Sequence, residues 1–257
     1  MNTHTLNIKA LWKWEEDELD DLSNILKQDH ENIIPSKLIV NNMNKNTNNN
    51  LIGEYRYINH GGCSCIFIND SNQTPIILKL IYSEEIYNRE VEFQHKAGEF
   101  SPNILYNTRL EKLENEYILL DEEMLEYWKG NHNVNYKIKG LCVLGNSPIN
   151  IIIMEYLNVS IWKSLLYMEI HAHELNNEIK KTLINMVHSL VYDKNIYNIF
   201  DFVGYTGEHI FYNKNVNKFK IIDYGGFKTV KNNQDKDILV KQMLENIYDK
   251  YEILKLN

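Results

Sequence analysis

Pro75-Ile76-Ile77-Leu78-Lys79-Leu80-Ile81 places one lysine inside an apolar run. Such short runs, rich in β-branched residues, form strands. A lysine buried among such neighbours needs a partner charge or an anionic ligand. Two segments offer carboxylates. Glu84-Glu85-Ile86-Tyr87-Asn88-Arg89-Glu90-Val91-Glu92-Phe93 follows directly and reads as a helix over about 83–97. On it, Ile86, Glu90, Phe93 and Ala97 fall on one face while Glu92 points away. Far downstream, Lys220-Ile221-Ile222-Asp223-Tyr224-Gly225 sets an aspartate at the end of another apolar strand.

Around the lysine, residues 53–81 alternate strand, glycine turn, strand, a polar turn at Asn69-Asp70-Ser71-Asn72, and strand, which predicts three antiparallel strands. Ser101-Pro102 breaks the following helix and opens an extended piece. Residues 114–143 are charged and poorly periodic. Asn150-Ile151-Ile152-Ile153-Met154-Glu155-Tyr156-Leu157 is a buried strand ending at a polar residue. Helices follow over 161–167 and 176–193, the second with Ile179, Leu183, Met186, Val187 and Leu190 on one face. A hairpin around Asn213-Lys214-Asn215 and a last helix over 235–254 complete the pattern. Toward the N-terminus, Leu11, Trp14, Leu19, Leu22, Ile25 and Leu26 predict an amphipathic helix over 11–28. The asparagine-rich stretch 41–50 reads as a linker or loop.

The 257 residues suffice for a two-lobed domain or two small ones. A net charge of −8 argues against a nucleic-acid groove. Cys63, Cys65 and Cys142 are odd in number and have no metal-ligand spacing, which suits a reducing compartment. The first residues lack the pattern of a secretory signal, and no run approaches a membrane span. The expectation is a cytoplasmic protein acting away from membranes and nucleic acid. His171-Ala172-His173 puts its imidazoles on different helix faces and makes no metal site alone.

The order of lysine, helix glutamate and strand-end aspartate resembles the protein kinase-like superfamily over roughly 53–227. The stretch Ile58-Asn59-His60-Gly61-Gly62-Cys63-Ser64-Cys65-Ile66-Phe67 is similar to its phosphate-covering loop, with a flavour of the vaccinia-related and casein-kinase-like branch. Gly61 matches the central glycine, while Asn59 and Ser64 stand where outer glycines are usual. Small residues there let backbone amides approach phosphates. The resemblance implies that Gly61, Gly62 and Ser64 cover the phosphates of ATP and that Lys79, paired with Glu90, orients them. Met154 would be the gatekeeper, and backbone groups around Glu155 and Leu157 would take adenine. Asp223 of Asp223-Tyr224-Gly225 would hold Mg2+.

The pattern breaks at the catalytic loop, Ile199-Phe200-Asp201-Phe202-Val203-Gly204-Tyr205-Thr206-Gly207-Glu208-His209-Ile210-Phe211-Tyr212. If the strand 210–212 fixes the register, His209 replaces the metal-binding asparagine, Gly204 replaces the catalytic aspartate, and no base remains. If Asp201 is the base, Thr206 takes the asparagine position and three extra residues precede the strand. The hydrophobic pattern favours the first register and chemistry the second. No Ala-Pro-Glu follows Gly225, and about thirty residues follow Asp223, which puts a peptide-docking platform in doubt.

The expectation is therefore an α+β, bilobal kinase-like fold. Residues 1–50 would be a helical extension and linker, 51–157 a β-rich N-lobe with an insertion at about 107–148, and 158–257 a reduced helical C-lobe. Its function would be transfer of phosphate from ATP to a Ser/Thr hydroxyl of a protein. The alternative is a pseudokinase acting as a binding or decoy module for a protein partner. The asparagine and isoleucine abundance reflects AT-rich coding and, with a compact kinase-like chain, points toward a large DNA virus.

Overall fold

Pairing between distant apolar runs organises the chain. The computed structural model describes residues 7–14, 37–42, 51–61, 64–71, 74–81, 83–110, 114–119, 149–170, 176–199 and 207–251. Helices and strands mix as expected of an α+β chain. Two compact units emerge, one of Met1–Ser83 with Tyr106–Met154 and one of Glu84–Leu105 with Glu155–Asn257.

The first unit is built on an eight-stranded sheet. Its strands are β1 (Asn7–Trp14), β2 (Lys37–Asn42), β3 (Gly53–Gly61), β4 (Ser64–Asn69), β5 (Ile76–Ile81), β6 (Ile104–Leu110), β7 (Glu114–Leu119) and β8 (Ile149–Glu155). The order is β6-β8-β5-β4-β3-β2-β1-β7. β1 through β5 pair antiparallel in succession, giving the three strands expected over 53–81, and β1 pairs parallel to β7.

Period-two alternation divides the sheet into two faces. Cys65, Phe67, Leu78, Leu80, Ile151 and Ile153 join Leu38, Val40 and Tyr55 in one apolar core. Ser64, Lys79, Ile152 and Met154 occupy the alternate positions and so the opposite face. Asn150, also on that face, donates from Nδ2 to the Ile81 carbonyl at 3.1 Å and ties β8 to β5. At the polar turn, Asn69 Oδ1 accepts the Ser71 N–H at 3.1 Å, the side-chain turn that asparagine favours.

Three expectations are corrected. Residues 11–14 lie in strand β1 rather than a helix, because backbone pairing with β2 and β7 satisfies the segment's N–H and C=O groups; residues 15–28 lie outside the described residues. Asn41 and Asn42, read as linker, end β2 inside the same sheet. A strand, β7, occupies 114–119, which had no clear period.

The second unit contains helices α1 (Glu84–Ala97), α2 (Leu165–Ile170), α3 (Asn177–Tyr192) and α4 (Lys236–Tyr251). Its short strands are β9 (Trp162–Ser164), β10 (Ile196–Tyr197), β11 (Ile210–Asn213), β12 (Lys218–Ile221) and β13 (Lys228–Thr229). The expected helix over 161–167 is also corrected: residues 162–164 pair with β11 as β9, and the helix starts at Leu165. β11 and β12 form the expected hairpin.

Helix α3 begins where Asn176 Oδ1 caps the Ile179 N–H at 3.0 Å. It buries Ile179, Leu183, Met186, Val187, Leu190 and Val191, the expected face plus one residue. These pack with Phe93 and Ala97 of α1, Ile210, Tyr212, Phe219 and Ile221 of the hairpin, Tyr224, Phe227, and Val240, Met243 and Leu244 of α4. Helix α1 ends at Gly98, whose φ of 60° is the left-handed conformation that closes helices without strain only in glycine.

Leu38 tests whether β2 belongs to the folded sheet rather than to an appendage, since it is 0% exposed in the first core. Leu38→Ala should lower stability by about 2–4 kcal/mol in urea unfolding, the usual range for a buried leucine. A loss below about 0.5 kcal/mol, the scale of a surface substitution, would show that β2 is dispensable.

Candidate functional site

Glu90 is the most deeply buried carboxylate among the described residues, 1% exposed on the inner face of α1. Its Oε2 accepts the Tyr224 N–H at 2.9 Å. An ionised acceptor makes this stronger than a neutral hydrogen bond. Glu92, by contrast, is exposed and receives Lys96 one turn on, as the helical wheel predicted.

The turn that Glu90 grips is Asp223-Tyr224-Gly225. Asp223 has φ 66°, a left-handed conformation that only glycine and short polar residues adopt readily. Its Oδ1 accepts the Gly225 N–H in a long bond of 3.4 Å. A Cβ on Gly225 would meet Ile86 Cγ2 at 3.0 Å, so glycine lets the turn lie against α1. Tyr224 is 0% exposed, stacks at a tilt on Phe227 with centroids 4.6 Å apart, and donates its hydroxyl to the Phe100 carbonyl at 2.9 Å. Burial first, and the Glu90 charge second, push its phenol well above the usual range.

His209 closes this region. The Ile222 N–H donates to the His209 carbonyl at 2.9 Å, and Ile210 pairs with Ile221. His209 therefore stands across the ladder from Ile222, the residue before Asp223. Strand β11 begins directly after His209. Asp201, Gly204 and Thr206 lie outside the described residues, as do Gly62, Cys63, His171 and His173.

In the sheet unit, Lys79 is 6% exposed and Ser64 9% exposed. Lys79 pairs with Ile66 and Gly61 with Ser64, so the lysine lies on the face that also bears Ser64 and Met154. A register shift between Tyr57 and Asn59 marks the start of the glycine segment. Met154 is 7% exposed at the end of β8.

A cluster that the sequence reading missed surrounds Glu155. Its Oε2 accepts Lys220 Nζ at 2.6 Å and the Asn103 N–H at 3.1 Å, while its own N–H donates to the Asn103 carbonyl at 3.0 Å. Lys220 Nζ also lies 5.5 Å from the Trp162 ring centroid. The backbone N–H of Glu155 is thus engaged within the protein rather than offered to a ligand. Lys220, flanked by Phe219 and Ile221, carried the same signal as Lys79: a lysine in an apolar strand. Leu157, two residues on, is 7% exposed.

Among the described residues no group of three or more His, Cys, Asp and Glu side chains is placed to hold a metal. A cation at Asp223 would need further oxygens from its ligand. No helix among the described residues is long and apolar enough to cross a membrane.

No protein-family model matches the chain, and no curated protein does. Among solved structures it is similar to one titled "WaaP in complex with acyl carrier protein", at 10% identity and a TM-score of 0.43, over 75% of this chain and 68% of that one.

The buried phenol gives a pH test. Tyr224 is neutral in both states below pH 10, its ordinary value, so its contribution is fully present there. Above pH 10 the unfolded chain ionises at this tyrosine while the folded chain resists, so stability falls. Tyr224→Phe should lose about 1 kcal/mol at neutral pH, for the hydroxyl bond to Phe100, yet decline less steeply than wild type above pH 10. Equal slopes in alkaline urea titrations would contradict this placement of the phenol.

Proposed function

We propose that the chain has a kinase-like fold and binds ATP with a divalent cation. The observation that carries this reading is the grip of a buried helix glutamate on the backbone of the Asp223-Tyr224-Gly225 turn. Burying Glu90 to hold that turn is costly for a purely structural device, since an uncharged residue would fill the same space. What the grip provides is an aspartate held in a left-handed turn.

The sheet unit carries a set of phosphate-binding residue types of its own. Lys79 shares a face with Ser64 and Met154, the residue types needed for an ammonium on phosphates, a small residue near them and an apolar wall for a base. Asp223 would supply the hard oxygen donor that a divalent cation accompanying the nucleotide prefers. When bound, such a cation neutralises charge that builds on the phosphates.

Phosphoryl transfer to a Ser/Thr hydroxyl of a protein then needs little covalent help from the chain. The bond from the acceptor oxygen to the γ-phosphorus forms as the bond from that phosphorus to the ADP oxygen breaks, and Asp201 would accept the hydroxyl proton. Lys79 holds the phosphates in line, and positioning lowers most of the barrier.

One observation favours a second reading, a pseudokinase serving as a binding module. Strand β11 starts at Ile210, and counting back from it without an insertion puts His209 at the asparagine position and Gly204 where a base would stand.

Titration with ATP and Mg2+ or Mn2+, with thermal stability and radiolabel transfer followed in the same samples, separates these. Binding should raise the melting temperature in wild type and much less in Lys79→Ala. Labelling that Asp201→Asn lowers by a factor of about 10² or more supports transfer. A stability gain without labelling supports the pseudokinase. No gain with either cation would overturn the nucleotide reading.

A further inference from the structure

We infer that the helical unit binds a free aromatic amino acid, with phenylalanine as the type, in a cavity between helix α3, the β11–β12 hairpin and the segment that follows α1. None of the cavity's residues belongs to the nucleotide reading above, so the two proposals stand or fall separately.

The cavity measures about 250 Å3 and is partly open to solvent. Phe100, Met186 and Phe219 form its floor, the last two 2% and 1% exposed. A space of ~150 Å3 among apolar side chains holds benzene, whereas drug-sized ligands take about 300 Å3 or more. This one therefore suits a single ring. Two phenyl rings and a thioether favour an aromatic guest over an aliphatic one.

The polar wall is already satisfied. Asn217, in a left-handed conformation with φ 49°, accepts the Tyr212 hydroxyl at 2.9 Å and the Thr182 hydroxyl at 3.0 Å, and its Nδ2 donates to Glu178 Oε1 at 3.0 Å. Ser189 gives its hydroxyl to Asp193 at 2.7 Å. These bonds hold the cavity's shape and ask nothing of a guest.

Selection falls to the mouth. Glu99 Oε2 and Lys218 Nζ stand 3.0 Å apart there, with 60% and 57% of the two side chains exposed. An ion pair so exposed is screened and weak, so it exchanges partners at little cost. An amino acid whose ring reaches the floor brings an ammonium and a carboxylate on one carbon to that mouth, and each meets the opposite charge. A guest with one charge leaves either Glu99 or Lys218 without a partner.

The test titrates the full chain with L-phenylalanine, phenylacetate, phenethylamine and glycine, following the amides of Phe100, Met186 and Phe219 by NMR. We expect L-phenylalanine to shift those amides saturably below about 10 mM. It should bind about fivefold or more tightly than either singly charged analogue, and glycine should give no shift. Glu99→Gln should erase its advantage over phenylacetate, and Lys218→Gln its advantage over phenethylamine. Both positions are exposed, so the fold is retained, as circular dichroism checks. Asn185→Trp, from an exposed position on the rim, should block all three aromatic probes. Equal affinity for the three overturns the amino-acid assignment. No saturable shift at these amides, or shifts that persist in Asn185→Trp, overturns the site. Titration of the same samples with ATP reads the nucleotide proposal independently.

Discussion

A buried carboxylate must be answered, and in the helical unit the answer is the Tyr224 N–H. The bond from that amide to Glu90 joins helix α1 to the Asp223-Tyr224-Gly225 turn. Other features depend on that join. Gly225 is tolerated as glycine because a Cβ would press on Ile86 of the same helix. Tyr224 reaches the core with its hydroxyl satisfied at Phe100, just beyond the helix's end. Asp223 keeps a left-handed backbone that costs of order 1 kcal/mol or more in isolation, because residues on both sides are fixed.

The same rule, that buried charge needs a partner, organises the rest. Lys220 reaches Glu155 at 2.6 Å, and that carboxylate also receives the backbone of Asn103, so residues 103, 155 and the hairpin strand β12 meet at one group. Both side chains retain some exposure, 14% for Lys220 and 31% for Glu155, so solvent moderates the pair. In the sheet unit, alternation separates the tasks. One face holds Phe67, Leu78 and Leu80 in the core, and the other carries Lys79. A one-residue slip in β5 would exchange the two faces, so the packing of the core also fixes where the ammonium lies.

Much of this was legible from residue order. The lysine in its apolar run, the inward Glu90 and outward Glu92, the buried face of α3 and the β11–β12 hairpin all follow from local periodicity. What escaped was decided by pairing over distance. Residues 7–14 carry apolar side chains at Ile8, Ala10, Trp12 and Trp14, a period of two, but Leu11 and Trp14 also fit a helical spacing that continues to Leu26. Partners at β2 and β7, far along the chain, resolve the ambiguity toward a strand. Trp162-Lys163-Ser164 fits a helix start until β11 pairs with it. Lys220 was visible, yet its partner Glu155 is 65 residues away, and no short-range pattern links them. Asp201 lies outside the described residues.

The central claim is that Glu90 holds the Asp223 turn through the Tyr224 amide. Amide hydrogen exchange of wild type and Glu90→Ala, resolved at Tyr224 and Gly225, tests it directly. The account predicts strong protection at Tyr224 in wild type, lost in the variant, while amides in the middle of α3 stay protected. Equal protection of Tyr224 in the two proteins would contradict it.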